Sequence, residues 1–175
     1  MWDKYSGRWI LVTVHPFGPL YDEKSEILIL GSFPSVKSRE ENFFYGHPQN
    51  RFWRVLSAVL GCQTPKTVDE KRELLLENKI ALWDVIASCE ITGSSDSSIK
   101  DVSANDISII LDSANIKAIY VNGKTAEKYY NKYIKSKTGR EAVCLPSTSP
   151  ANAAWNLERL IKVWGIIAEI NGVMK

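Results

Sequence analysis

At 175 residues, 45% hydrophobic and 24% charged, the chain has the makeup of a globular protein long enough to bury a sizeable core. Its formal net charge of +2 at pH 7 excludes binding of polyanions through bulk charge, so any such contact must come from a local patch. No apolar run approaches the ~18 residues of a membrane span and no secretory leader is legible, which predicts a cytoplasmic protein with no membrane partner.

In chain order, Ile10–Val14 reads as an added strand in an N-terminal extension, residues 1–24. Ile27–Leu30 is a short aliphatic run without polar alternation, as expected for a strand covered on both faces. Asn50–Leu60 puts Phe52, Trp53, Leu56, Val59 and Leu60 on one helical stripe, with Gly61 as a stop. Thr67 and Glu70 form a capping-box signature for a helix running to Asn78. Ile80–Ile86 predicts a second strand. A helix over Asp106–Ala114 follows a cap at Ser103, and Ile116–Val121 predicts a third strand. Lys124–Ile134 predicts a helix after Asn122-Gly123, and Ala142–Leu145 a fourth strand. The last helix is expected from Pro150, with Ser149 as N-cap and a core stripe of Leu157, Leu160, Ile161, Trp164, Ile167 and Ala168. The alternation predicts one domain over residues 1–175. Its expected class is α/β: a three-layer α/β/α sandwich around a mostly parallel central sheet of about four strands.

Two strand exits carry the chemistry. The first runs into Gly31-Ser32-Phe33-Pro34-Ser35 and the second into Pro146-Ser147-Thr148-Ser149-Pro150-Ala151-Asn152. In open α/β sheets, ligands bind at the carboxyl ends of strands, so these loops are the candidate site. Gly31, Ser32 and Ser35 allow close backbone approach, and Pro34 stiffens the turn. Asn50 either caps its helix or faces a ligand. Phe43, Phe44 and Tyr45 are either core or pocket wall. Asp84, embedded in Leu82-Trp83-Asp84-Val85, either orients a pocket group or serves the structure. Ser94–Ser98 reads as a flexible polar loop, and Asn122-Gly123-Lys124 as a possible pocket border. Cys62, Cys89 and Cys144 lack metal-ligand spacing and predict buried free thiols, with no metal and no cofactor.

The first loop, together with His47-Pro48-Gln49-Asn50-Arg51-Phe52-Trp53, resembles the uracil-DNA glycosylase superfamily. It is closest to the hypoxanthine-DNA (deoxyinosine) glycosylase branch and related to the mismatch-specific uracil-DNA glycosylases. Ser147–Asn152 is similar in type to the superfamily's second motif, and Ala81–Cys89 also looks like this branch. The resemblance, over roughly residues 16–165, implies a nucleoid-associated repair enzyme that flips out and excises a deaminated base. Two departures bear on the substrate. Phe33 stands where uracil-removing relatives carry a catalytic Asp or Asn, and the second loop lacks their histidine. In the hypoxanthine branch the catalytic role is implied for the Asn of His-Pro-x-Asn, here Asn50; Asn42 is the runner-up.

That resemblance implies an enzyme acting on double-stranded DNA with a deaminated base; the lack of a lysine in either loop predicts a monofunctional one, and no obligate protein partner is evident. Gly31, Ser32, Phe33, Pro34, Ser35, Phe44, Tyr45, His47 and Asp84 are the expected substrate contacts. Tyr45, or alternatively Phe44, would stack on the base. Asn50 would hold a water through its carbonyl oxygen or donate to the leaving base through its NH₂. His47 contacts the base or only the first loop. Lys37, Arg51, Ser147, Thr148, Ser149, Pro150, Ala151 and Asn152 are the expected DNA contacts. The three hydroxyls sit at the expected helix start, and Ala151 and Asn152 would wedge into the duplex. Arg51 is alternatively structural. The competing readings are a non-catalytic nucleic-acid binding module, a glycosylase for uracil or xanthine, and a small-molecule enzyme of nucleotide metabolism.

Overall fold

The computed structural model describes residues 2–3, 8–9, 11–170 and 172. Its centre is a four-stranded parallel sheet made of β4 (Ile27–Gly31), β5 (Ile80–Asp84), β8 (Ala118–Asn122) and β9 (Val143–Leu145), in the order β5-β4-β8-β9. All five residues of β4 are buried, so both of its faces are covered, as its unbroken aliphatic run predicts. Helices supply that cover: α3 (Val68–Glu77) packs on β5, and α5 (Lys124–Tyr133) packs on β8. The three-layer α/β/α architecture expected from the strand–helix alternation is therefore present.

The register sets the site. Gly31 pairs with Asp84, Leu30 with Val121, and Asn122 with Leu145. Gly31, Asp84, Asn122 and Leu145 thus end neighbouring strands along one edge. The chain leaves β4 toward β5 on one side and returns to β8 on the other. The carboxyl ends of β4 and β8 accordingly flank the switch point where such sheets bind ligands.

The apolar run Ile80–Ile86 is not one strand. It breaks after Asp84, where the Val85 and Ile86 amides donate to the Gly31 and Ser32 carbonyls at 2.8 and 3.1 Å. The chain then continues as β6 (Ile86–Glu90), the middle of an antiparallel sheet with β3 (Val12–Val14) and β7 (Lys100–Ala104). Asn105 holds the corner, its Nδ2 donating to the Asp84 and Ile86 carbonyls. Ser103, expected to cap a helix, lies in β7, and the helix expected over Asp106–Ala114 shrinks to α4 (Ser108–Leu111). Part of the expected strand Ile10–Val14 is β3, while Ile10 lies outside the described residues. A two-residue ladder joins β1 (Trp2–Asp3) to β2 (Arg8–Trp9).

Locally encoded features appear as read. The Thr67–Glu70 capping box opens α3, and Gly61 closes α2 (Phe52–Leu60) in the left-handed region at φ 68°. The last helix differs. Ser149 does not cap it; α7 (Leu157–Trp164) begins with Asn156, whose side chain accepts from the Arg159 amide. Residues 146–156 are instead an irregular loop. Of the remaining helices, α1 (Val36–Glu41) follows the first loop, α6 (Lys135–Thr138) extends α5, and α8 (Ile166–Ile170) ends the described chain. No helix among the described residues is long and apolar enough to cross a membrane.

Trp164 ties α7 to the site. It is fully buried, meets Phe52 edge-on at 5.8 Å, and donates from Nε1 to the Pro146 carbonyl at 3.0 Å. Trp164→Ala is expected to lower folding stability by roughly 3–5 kcal/mol, read as a lower urea midpoint with an unchanged slope.

Candidate active site

A cavity of about 630 Å³ opens at the carboxyl ends of β4, β5 and β8. That volume suits a single organic ligand. Every residue from Gly31 to Ser35 and from Ser147 to Asn152 lines it, with Phe44, Tyr45, His47, Asn50 and Asp84. The two sequence-distant loops therefore do form one site. Asn42, Lys37 and Arg51 do not line it.

The first loop is shaped by Ser35, which caps α1 by accepting from the Ser38 amide at 3.2 Å. Gly31 is required by a close approach: a Cβ there would overlap Asp84 Oδ1 and come within 2.9 Å of the Tyr45 hydroxyl. Asn42, the alternative catalytic amide, closes α1 in the left-handed conformation at φ 51° and is exposed. Its place at a helix end away from the cavity removes it from the candidates.

Asn50 joins the loops. Its Oδ1 accepts from the Phe52 amide at 3.0 Å and from Thr148 Oγ1 at 2.9 Å. Asn122 Oδ1 accepts from the Thr148 amide at 3.1 Å, so Asn122 Nδ2 is the donor to Thr148 Oγ1 and to the Tyr45 hydroxyl, at 2.9 and 3.0 Å. Two backbone N–H groups thus fix the orientation of both the Asn50 and the Asn122 carboxamides. The Asn50 carbonyl is occupied twice over, whereas its Nδ2 has no protein partner among the described residues. Of the two roles open to this amide, donation to a ligand is the one left free.

Tyr45 stacks on Phe52 with centroids 4.0 Å apart and planes 16° apart, so one of its faces is already covered. Burial, and then the nearby Asp84 charge, push its phenol well above the usual range, keeping it neutral. Phe44 is 3% exposed and packs edge-on against Phe17 and Phe43, so it is mostly core. Phe33 sits between the His15 ring edge at 5.9 Å and the Arg39 guanidinium at 5.7 Å. His47 Nδ1 accepts from the Gln49 amide at 3.2 Å.

Asp84 is 4% exposed, and its Oδ2 meets His15 Nε2 at 2.7 Å. His15 Nδ1 accepts from the Phe17 amide at 3.4 Å, which puts the ring proton on Nε2 and makes it the donor to Asp84. Sequence reading missed His15. The signal was there: it is one of two histidines and precedes a proline. Asp96 was also missed as a pocket residue; it lines the cavity from the 91–98 loop.

Arg51 is not free for phosphate. Its guanidinium donates to the backbone carbonyls of Thr148, Ser149, Asn152 and Trp155. An irregular loop leaves such carbonyls without secondary-structure partners, and a five-donor fork satisfies several at once. The second loop also satisfies its own amides. Ser149 N donates to Ser147 Oγ, Ala151 N to Ser149 Oγ, and Asn152 N to the Ser149 carbonyl. With no helix start here, the expected helix-terminus cradle for phosphate is absent. Lys37 is exposed on α1 and pairs with Glu40 at 3.4 Å.

The sequence model of the Uracil DNA glycosylase superfamily matches residues 19–168. The chain belongs to this superfamily. Two relatives, from Methanosarcina barkeri and Methanosarcina acetivorans, both bear the name hypoxanthine DNA glycosylase. The first is 41% identical over 138 residues, covering 78% of this chain and 86% of the relative. The second is 37% identical over 145 residues, covering 82% and 90%. A solution NMR structure from Methanosarcina acetivorans, named provisionally as a uracil DNA glycosylase, superposes with a TM-score of 0.74. It shows 32% identity and covers 90% of this chain and 99% of that one.

Two substitutions test the architecture. Gly31→Ala is expected to cost roughly 1–3 kcal/mol in urea unfolding, because Asp84 and Tyr45 must move to admit a methyl group. Arg51→Met is expected to lower the opening energy of amides in 147–155 by roughly 1–3 kcal/mol in hydrogen exchange, while the β4 amides keep their protection.

Proposed function

We propose that the chain is a monofunctional DNA glycosylase that excises hypoxanthine from deoxyinosine in duplex DNA. The observation that carries the reading is the locked Asn50 amide, whose NH₂ is the free donor where the two loops meet. It is supported by the relatives named hypoxanthine DNA glycosylase and by a cavity with room for a flipped purine nucleotide.

The flipped nucleotide enters at a cost of a few kcal/mol, least for a mispaired base. Cleavage of the C1′–N9 bond leaves positive charge on the sugar and negative charge on the base. A fixed donor against the departing purine stabilises that negative charge, and such donors contribute roughly 2.7–4 kcal/mol in other enzymes. Tyr45 offers its uncovered face for stacking, while Gly31 and Ser32 leave room for the sugar. Among the described residues no lysine lines the cavity, which supports hydrolysis without a Schiff base. Duplex DNA with a deaminated base is the partner, met at the rim by Lys37 and the Ser147–Asn152 loop.

The test is single-turnover cleavage of duplexes containing inosine, uracil, xanthine or only normal bases, followed by alkali. Breaks at inosine are expected. Asn50→Ala should slow them roughly 10²–10³-fold with duplex binding retained. Cleavage of uracil in preference to inosine would overturn the substrate, and duplex binding without any cleavage would make the chain a binding module.

A further inference from the structure

Among the described residues, the cavity lining carries two carboxylates, Asp84 and Asp96, and no lysine or arginine. Only one is available to a ligand. Asp84 lies beneath Gly31 and is held by His15. The Asn50 carbonyl, the other strong acceptor, is saturated by Phe52 and Thr148. Asp96 accepts from Ser32 Oγ, at 3.2 Å to Oδ1 and 3.1 Å to Oδ2, and from the Thr125 hydroxyl, so two donors leave part of its acceptor capacity free.

Its position is built rather than incidental. The loop bearing it is anchored to α1, with the Val36 amide donating to Ser94 Oγ at 2.9 Å and Arg39 donating to the Gly93 carbonyl at 3.3 Å. Ser98 Oγ and the Ser95 and Ser98 amides cross-link the loop internally. The segment expected to be a flexible polar loop is thus tied at both levels, and it delivers Asp96 onto Ser32 in the first loop.

We propose that Asp96 is a catalytic residue of this chain: the carboxylate that orients the hydrolytic water and takes its proton. This rests on the glycosylase reading. In the step, the C1′–N9 bond breaks and its electron pair leaves with the purine. The water oxygen bonds to C1′ and its proton passes to Asp96. The purine anion takes a proton from solvent and is released as the free base, and Asp96 returns its proton to solvent. The ionised carboxylate also favours the cationic sugar that forms as the bond opens. Asp96 is exposed as a residue, yet its carboxyl end is set against the cavity wall. Loss of water there raises its pKa above the ordinary aspartate value, while the Ser32 and Thr125 hydroxyls pull the other way and the Asp84 charge adds to the rise. A raised pKa makes a stronger base.

The experiment is single-turnover cleavage of an inosine duplex between about pH 4 and pH 8, with duplex affinity followed by fluorescence anisotropy. The wild-type rate should climb with pH as Asp96 ionises and then level. Asp96→Asn, nearly isosteric, should slow cleavage roughly 10²–10⁴-fold, abolish that climb, and bind duplex as tightly or more tightly. Ser32→Ala keeps the charge but removes a bond that favours it, so the climb should move to higher pH. The other titratable groups facing this region are Asp84 on β5, Cys89 on β6, His15 before β4, Arg39 on α1, and Tyr45 and His47 before α2; all persist in both variants. An Asp96→Asn rate within about threefold of wild type, or one that keeps the climb, overturns the assignment alone. A wild-type chain that cleaves no duplex overturns the glycosylase reading, and the assignment with it.

Discussion

The site depends on one hydrogen-bonded chain, from the Phe52 amide through Asn50, Thr148 and Asn122 to the Tyr45 hydroxyl. Backbone N–H groups cannot reverse their polarity, so the Phe52 and Thr148 amides dictate which end of each carboxamide faces which way. The chain also links parts that share no sequence: the start of α2, the second loop, the end of β8 and the aromatic floor. In a partly dehydrated interior such a network is strong when complete and costly when broken. It presents a donor to the cavity in a fixed direction before any ligand arrives, which is the condition for electrostatic preorganisation.

Arg51 solves the complementary problem. A loop of small polar residues has little apolar surface to bury and several carbonyls to satisfy. Asn50 fixes it by one hydroxyl and Arg51 by four carbonyls, so two adjacent residues at the head of α2 determine its shape. The cation in His-Pro-Gln-Asn-Arg is therefore an organiser of the loop.

What the sequence made legible was local or one-dimensional. The aliphatic runs of β4 and β8, the Thr67–Glu70 box and the Gly61 stop all lie where short-range physics puts them. Ser149-Pro150 carried an equally good start signal and failed, because the following carbonyls are claimed by Arg51 and the helix starts only at Leu157. Ile80–Ile86 reads as one strand because its break after Asp84 is imposed by carbonyls of Gly31 and Ser32 and by Asn105. For the site, the two loops and Asn50 stood out by residue type. His15 and Asp96 did not, since their partners Asp84 and Ser32 lie 69 and 64 residues away. No period or spacing encodes such a pairing.

His15 carries one more consequence. The stretch shared with the superfamily begins at residue 19, yet the proton donor to Asp84 lies upstream of it. The boundary of inherited similarity and the boundary of the working pocket are therefore different. A chain cut back to the shared stretch would keep every recognisable motif and leave a buried carboxylate without its donor, a loss of roughly 1.5–3 kcal/mol for a hydrogen bond to a charged group. The β3 strand, which looks like an accessory to the fold, delivers part of the floor on which Gly31 rests.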